Sequence, residues 1–420
     1  MRTEKRSAFL SGLCGIAVAL GMCASSATAD VTTERGASLL AFPKVLANGD
    51  SDTIVQITNI SNNMVHATCY YVNAATSPFT GLPLWQITDF TIWLTKQQPT
   101  QWQVSRGRNI NPADACAMGS DGLFNSSSSC SNNGLDPGAI PPVPENFVGE
   151  LKCVEVDVAG NPIGGNHLKG EATVISRDGD TAKYNAIGIQ GTELAGETGN
   201  ELLLNQPLDS DDVIGQYNAC PNVLLLNHLA EGAPDPVLFS NGRAGTCDKN
   251  GAIPCNTDEG CFVGGTDWGP CEDEPQVKGL GGVIDLRSAS LTDLTLIPCT
   301  QDFENGIPAA ATVQFEIFNE FEERFSASTT IVCWRNFYLF QVDSPNDPDR
   351  SVFSFATLGT TAAFTRISPV NGGVLGVAGV TRADSSRNLA RTLLNIHMEG
   401  DRFTGSGEAV VDKWTIPAFF

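Results

Sequence analysis

Positive charge is scarce in this chain. Its 420 residues carry 25 Lys plus Arg against 47 Asp plus Glu, a formal net charge of −22. Phosphate backbones are held by basic patches, so nucleic acid is excluded as the main partner. An anionic membrane surface is disfavoured for the same reason. Histidine is nearly absent too. His66, His167, His228 and His397 are the only four, and none has a second His at metal-ligand spacing. There is no H-E-x-x-H, and Gly405-Ser406-Gly407 lacks the flanks of a nucleophile elbow. The common zinc-protease and serine-hydrolase arrangements are therefore missing. Beyond the N-terminal segment no apolar run approaches the ~18–20 residues that a transmembrane helix needs. Amphipathic helical periodicity is scarce throughout.

The first segment has the form of a secretory signal. Arg2, Lys5 and Arg6 make a basic start, Ala8 to Met22 a short apolar stretch, and Ala27-Thr28-Ala29 an A-x-A exit. Residues 1–29 are expected to be removed, leaving a mature chain that begins near Asp30. Met22 is large where a lipidation signal wants a small residue before Cys23, so acylation there is not expected. Loss of the signal takes the net charge to about −24.

Export changes what the cysteines mean. Of thirteen, Cys14 and Cys23 leave with the signal, and eleven remain. In an oxidising compartment these read as disulfides rather than as a cytosolic metal site. Eleven is odd, so one thiol is free or shared. Cys69 with Cys153, and Cys299 with Cys333, are the first pairs to test.

Short alternating runs bounded by Gly, Pro, Asn and Asp are common, which is the pattern of an all-β protein. Val65, Ala67, Cys69 and Tyr71 share one face of a strand, and Met64, His66, Thr68 and Tyr70 the other. Phe325, Ala327, Thr329, Ile331 and Cys333 share a face in a later strand. The two ends of the chain also look alike. LLAFPK (39–44), DTIVQITN (52–59) and VHATCYY (65–71) match LTLIPC (294–299), TVQFEIFN (312–319) and TTIVCW (329–334) in order. GNPIGGNHLKGEATV (160–174) then matches SPVNGGVLGVAGV (368–380), and AKYNAIGIQG (182–191) matches ARTLLNIHMEG (390–400). This points to an internal duplication.

Each strand with one apolar face must be covered by a second sheet. The expected fold is two β-sandwich domains, 30–239 and 283–420, joined by a Cys-rich irregular segment at 240–282. A strand bearing a Cys beside an aromatic residue resembles immunoglobulin-like domains in strand order and pattern. The Cys…Trp…Cys spacing of antibody domains is absent, so the resemblance implies a sandwich and no particular family. Residues 107–146, rich in Asn, Ser, Gly and Pro, read as a long loop stapled by Cys116 and Cys130. Cys247, Cys255, Cys261 and Cys271 staple 240–282, which has few apolar residues of its own.

Hard oxygen donors make calcium the metal to consider. Asp248 and Asn250 form part of a D-x-N-G loop, and Asp258 and Glu259 follow in the same Cys-rich segment. Asp209, Asp211 and Asp212 form a second cluster, and Asp343, Asp347 and Asp349 a third. None completes an EF-hand, and solvated acidic turns account equally for such clusters. Met64 and His66 share a strand face and would suit copper, against the simpler reading of an exposed His on a polar face.

The function expected is that of a secreted, non-enzymatic β-sandwich protein, structural or adhesive, binding a protein or glycan through surface loops. One alternative is a secreted carbohydrate-active hydrolase that uses a carboxylate pair. Another is an outer-membrane β-barrel, suggested by the terminal run Trp414-Thr415-Ile416-Pro417-Ala418-Phe419-Phe420 and opposed by the cysteines and the few tyrosines. If export and oxidation are read correctly, most of the eleven cysteines in native exported protein resist alkylation until reduced. Mass spectrometry finding most of them free would contradict that reading.

Overall fold

Alternating side chains and turns rich in Gly, Asn and Asp leave this chain little but strand to form. The computed structural model is nearly all β, as expected. It describes residues 31–417 apart from 82, 110–135, 192–200, 205–216, 234–244, 248, 256–261, 268, 270, 274–289, 384–388 and 402–411. The signal segment 1–29 lies outside the described residues, as do Cys116 and Cys130.

Ten strands open the chain: β1 (Val31–Thr32), β2 (Leu39–Ala47), β3 (Ser51–Asn59), β4 (Val65–Asn73), β5 (Gln86–Leu94), β6 (Pro99–Gln103), β7 (Phe147–Val156), β8 (Leu168–Ser176), β9 (Thr181–Asn185) and β10 (Ile187–Ile189). They form one branched hydrogen-bonded sheet that folds over on itself. β2 meets β3 only at Ala47 and Asp52, and the two strands then run in different layers. One layer is β5-β4-β7-β2-β10-β1, the other β6-β3-β8-β9. Between them Val65, Ala67, Cys69 and Tyr71, the face expected from alternation, pack with Phe42, Val55, Ile57, Trp102 and Leu151.

The chain continues through β11 (Glu201–Leu204), β12 (Pro221–Leu229) and five short strands, β13 (Gly245–Cys247), β14 (Asn250–Cys255), β15 (Phe262–Val263), β16 (Thr266–Asp267) and β17 (Cys271–Asp273). After these come β18 (Ser290–Pro298), β19 (Gln301–Asp302), β20 (Ala310–Asn319), β21 (Arg324–Val332), β22 (Arg335–Tyr338), β23 (Ala362–Asn371), β24 (Val374–Ala383), β25 (Leu389–Asn395), β26 (His397–Asp401) and β27 (Asp412–Thr415). A second pair of layers results, β22-β18-β24-β25 and β21-β20-β23-β12-β26. Phe315, Ile317, Leu224, Leu226, Leu294 and Leu296 fill the space between them.

β12 precedes the Cys-rich segment, yet it pairs with β23 and β26. Residues 240–282 therefore lie between two strands of the same sandwich. Alternation shows that 221–229 is a strand and says nothing of its distant partners. Cys247 within the segment is disulfide-bonded. The segments that match between the two ends of the sequence hold different places. β4 lies between β5 and β7, whereas β21 is the last strand of its sheet; β8 pairs with β3, whereas β24 pairs with β18.

Cys69 and Cys153 stand opposite each other on β4 and β7 and are bonded, with Cα atoms 4.0 Å apart. This bridge lies within one sheet, unlike the sheet-to-sheet bridge of immunoglobulin domains. Cys299 does not pair with Cys333. It bonds Cys220, just before β12. Cys333 is a buried free thiol. Its φ of 63° breaks the alternation of β21. Ile331 therefore stays in the core of its own sandwich while Cys333 enters the cluster shared with the other half.

That shared cluster joins the halves. Leu39, Ala41, Tyr70, Val72, Val154 and Val156 on the outer face of the β4–β7–β2 layer meet Ile297, Cys299, Phe303, Leu375 and Trp414. Thr68 and Tyr70, placed by pattern on a polar face, are consequently 1% exposed. Tyr70 stacks on Phe303 with ring centroids 4.5 Å apart. β27 pairs with β11 and β19, and Trp414 and Ile416 are buried in this cluster. The terminal apolar run, considered above as a barrel strand, is core up to Ile416. Among the described residues no helix is long and apolar enough to cross a membrane.

Polar contacts cross the same boundary. Register shifts between Phe42 and Val45 in β2, and the Pro43-Lys44 bulge is gripped from several sides. Tyr184 Oη accepts from Lys44 N at 3.1 Å and donates to Lys44 O at 2.8 Å. Trp334 Nε1 donates to Pro43 O at 2.7 Å. The Lys44 ammonium is 1% exposed and ion-paired with Asp293 of β18. Arg391 reaches the same carboxylate at 3.0 Å and Asn336 at 2.9 Å. Burial pulls Lys44 down to about 8 in spite of Asp293. The Lys44 and Arg391 charges hold the Asp293 carboxyl below its usual range although burial opposes them. A Cβ on Gly379 would lie 2.2 Å from Asp293 Oδ1, so only glycine permits this close approach.

Removing one member of a buried pair strands the other charge. Lys44→Met is expected to lower unfolding free energy by about 3–5 kcal/mol in urea titration. Lys413→Ala, which breaks the exposed pair with Glu201, is expected to cost less than about 1 kcal/mol. Equal effects would remove Lys44 from this role.

Candidate ligand-binding face

The outermost sheet, β21-β20-β23-β12-β26, has one covered side and one open side. Along β20, Val313, Phe315 and Ile317 are buried, while Gln314 is exposed and Glu316 and Phe318 are half-buried. Pairing aligns the outward residues into rows. Arg324, Phe318, Phe364 and Asn227 form one row; Ser326, Glu316, Arg366, Leu225 and His397 form the next. Phe318 and Phe364 lie side by side, centroids 6.2 Å apart and planes inclined by 35°. Arg324 is ion-paired with Glu316, and Arg366 and Asn227 are exposed. At the end of this aromatic row is a cleft of about 500 Å³, lined by Asn227, Leu229, Phe318, Glu320, Ala362 and Phe364.

His228 forms the inner wall of that cleft. Its Nδ1 lies 2.9 Å from Leu229 O and therefore donates. Nε2 then accepts from Thr365 Oγ1 at 2.8 Å. Burial holds the ring neutral, its pKa pulled down to about 4. The other histidines are tied down differently. His66 stacks on Trp93 at 4.0 Å, and its Nδ1 lies 3.0 Å from Asp157 O. Its ring is therefore packed and hydrogen-bonded within the sheet, while Met64 is 45% exposed. His167 Nδ1 lies 2.7 Å from Glu155 Oε1. Burial raises the Glu155 carboxyl.

Of the calcium set, Asp248, Asp258 and Glu259 lie outside the described residues, and Asn250 opens β14. Asp209, Asp211 and Asp212 also lie outside. Asp343 is engaged locally, accepting from Ser351 Oγ at 2.6 Å and Val352 N at 2.9 Å, and Asp347 pairs with Arg350. Among the described residues no three His, Cys, Asp or Glu side chains gather as a metal site would require. The sheet-face residues were not singled out from sequence. The usable signal was Phe318, placed outward just after the inward Phe315 and Ile317 positions and out of keeping with a solvated face.

No family model matches the chain, and no curated protein matches it. Among solved structures, the Pleurotus ostreatus lectin in its apo form aligns at 11% identity over 93% of this chain and 88% of that chain, with a TM-score of 0.14. A lectin from Pleurotus ostreatus in complex with GalNAc aligns at 10% identity over 94% and 95%, with a TM-score of 0.11. Scores this low establish no common fold.

A His that is neutral when folded takes up its proton on unfolding. The unfolded chain then binds more protons between the two pKa values, and stability falls as pH drops from about 6.5 to about 4. His228→Gln is expected to flatten this part of the stability profile by on the order of 3 kcal/mol. An unchanged slope in pH-dependent urea titration would show that His228 does not carry it.

Proposed function

We propose that the protein is an exported, non-enzymatic β-sandwich that binds a glycan on the open face of the β21-β20-β23-β12-β26 sheet. The observation that carries this reading is the Phe318–Phe364 pair, half-buried on a sheet face and bordered by Asn227, Glu316 and Arg366. A pyranose presents apolar C–H faces and a rim of hydroxyls. Rings take the faces, and a few placed polar groups fix orientation by hydrogen bonding. Amide, carboxylate and guanidinium together supply both donors and acceptors. Disulfides Cys69–Cys153 and Cys220–Cys299 accord with an oxidising compartment. A glycosidase would need a second carboxyl across the cleft from Glu320, and the described lining provides none.

Glycan-array screening of exported protein is expected to identify binders, and calorimetry to measure them. Phe364→Ala should weaken binding roughly three- to tenfold and leave the melting temperature nearly unchanged, since the ring is half-exposed. Arg366→Ala should do the same for ligands that hydrogen-bond to it. No array signal above background, or equal affinity of the Phe364 variant, would overturn the assignment.

A further inference from the structure

β21 ends its sheet, and among the described residues no strand or bridge lies along its outer edge. Edge strands in soluble proteins are ordinarily blunted by Lys, Pro, a bulge or short length. β21 has none of these. It runs nine residues, Arg-Phe-Ser-Ala-Ser-Thr-Thr-Ile-Val, pairs with β20 without a register shift, and carries a single charge, Arg324, at its first position. In a chain of net charge −22 this edge has no acidic residue. At the core rim beneath it Arg335 Nη1 donates to Thr329 Oγ1 at 2.5 Å, and the apolar residues before Thr329 are less covered than Ile331. Phe325 and Ala327 pack against the sandwich core yet stay half-buried.

We propose that β21 pairs antiparallel with β21 of a second copy, about a two-fold axis at Ser328. The sequence complements itself in that register. On the open side Ser326 faces Thr330 and Ser328 faces Ser328, pairs that hydrogen-bond across strands. On the core side Phe325 faces Ile331, an aromatic against a β-branched side chain, and Ala327 faces Thr329. Arg324 faces Val332, so no like charges of the two strands are opposed, and the Arg335 of each copy stays tied to its own Thr329. The partner strand continues each core past its half-covered rim, and the closed two-fold leaves neither β21 edge free to template a third copy. Nine paired residues a side bury less than a standard interface, so a dissociation constant on the order of 1–100 µM is expected. Because the bodies of both copies are acidic, added salt should strengthen the association.

Sedimentation over a concentration series is expected to show conversion from one to two chains, shifted to lower concentration by salt. Ser328→Lys places two ammonium groups opposite each other at the axis and should weaken dimerisation roughly tenfold or more. The side chain is exposed, so the monomer's melting temperature should hold. Ser328→Cys should yield a disulfide-linked dimer on mild oxidation, whereas Gln314→Cys, on the same face but one strand in, should not. A chain that stays monomeric up to ~1 mM, or Ser328→Cys that cross-links no faster than Gln314→Cys, would overturn the proposal. A dimer unaffected by Ser328→Lys would place the interface elsewhere. Glycan binding by the monomer is read separately, so either result stands without the other.

Discussion

The Lys44–Asp293 ion pair is the constraint on which the arrangement of the halves depends. Two charges removed from water are costly unless each meets the other with good geometry and further hydrogen bonds. Here Asp293 receives Lys44, Arg391 and Asn336, and the Lys44 backbone is clasped by Tyr184. Lys44 belongs to one half and Asp293 to the other. Displacing one half relative to the other would leave an uncompensated buried charge, whereas an apolar contact alone tolerates sliding. The same logic recurs nearby, where the buried Lys152–Glu150 pair reaches Pro298 O and Gln301 of the other half. Hydrophobic contact supplies area at this boundary, and the charges supply its register.

With that register set, β18 and β24 and the β11-β27-β19 sheet lie against the first half. The β4–β7–β2 layer is covered on both faces, and the polar character of its outward residues is absorbed by specific partners: Tyr70 against Phe303, Lys152 over the Trp414 ring. The outermost sheet of the C-terminal half has no such cover. Its aromatic pair and its charged side chains stay available to solvent, where a ligand can reach them.

Much of the local structure was legible in the sequence. The alternation at 65–71 placed Val65, Ala67, Cys69 and Tyr71 in a core and led to the Cys69–Cys153 bridge. The alternation at 325–331 placed Phe325 and Ile331 on the inward side. What alternation cannot show is how many layers cover a face. Thr68 and Tyr70 look solvent-facing in sequence and are buried because another half lies over them. Nor can it show distant partners: the pairing of β12 with β23 and β26, and of Cys220 with Cys299, follows only from the fold. Lys44 stands among apolar residues in LLAFPK and Asp293 immediately precedes the matching run, but opposite charges in two similar strands do not by themselves reveal a contact. For the binding face, each strand was legible and the side-by-side placement of Phe318 and Phe364 was not, since it follows from the pairing of β20 with β23.

The free thiol of Cys333 bears on the order in which the chain matures. Cys299 lies closer along the chain to Cys333 than to Cys220, and shorter loops close more readily. β12, which carries Cys220 to its place, finds its strand partners only once β23 and β26 exist. Any oxidation of Cys299 before that docking has Cys333 as its nearer reactant. Once β12 has docked, Cys333 is enclosed and burial keeps its thiol protonated, the less nucleophilic form. Timing of oxidation relative to synthesis of the last strands therefore selects between two covalent isomers of one sequence, and a host that can reshuffle disulfides relaxes that dependence.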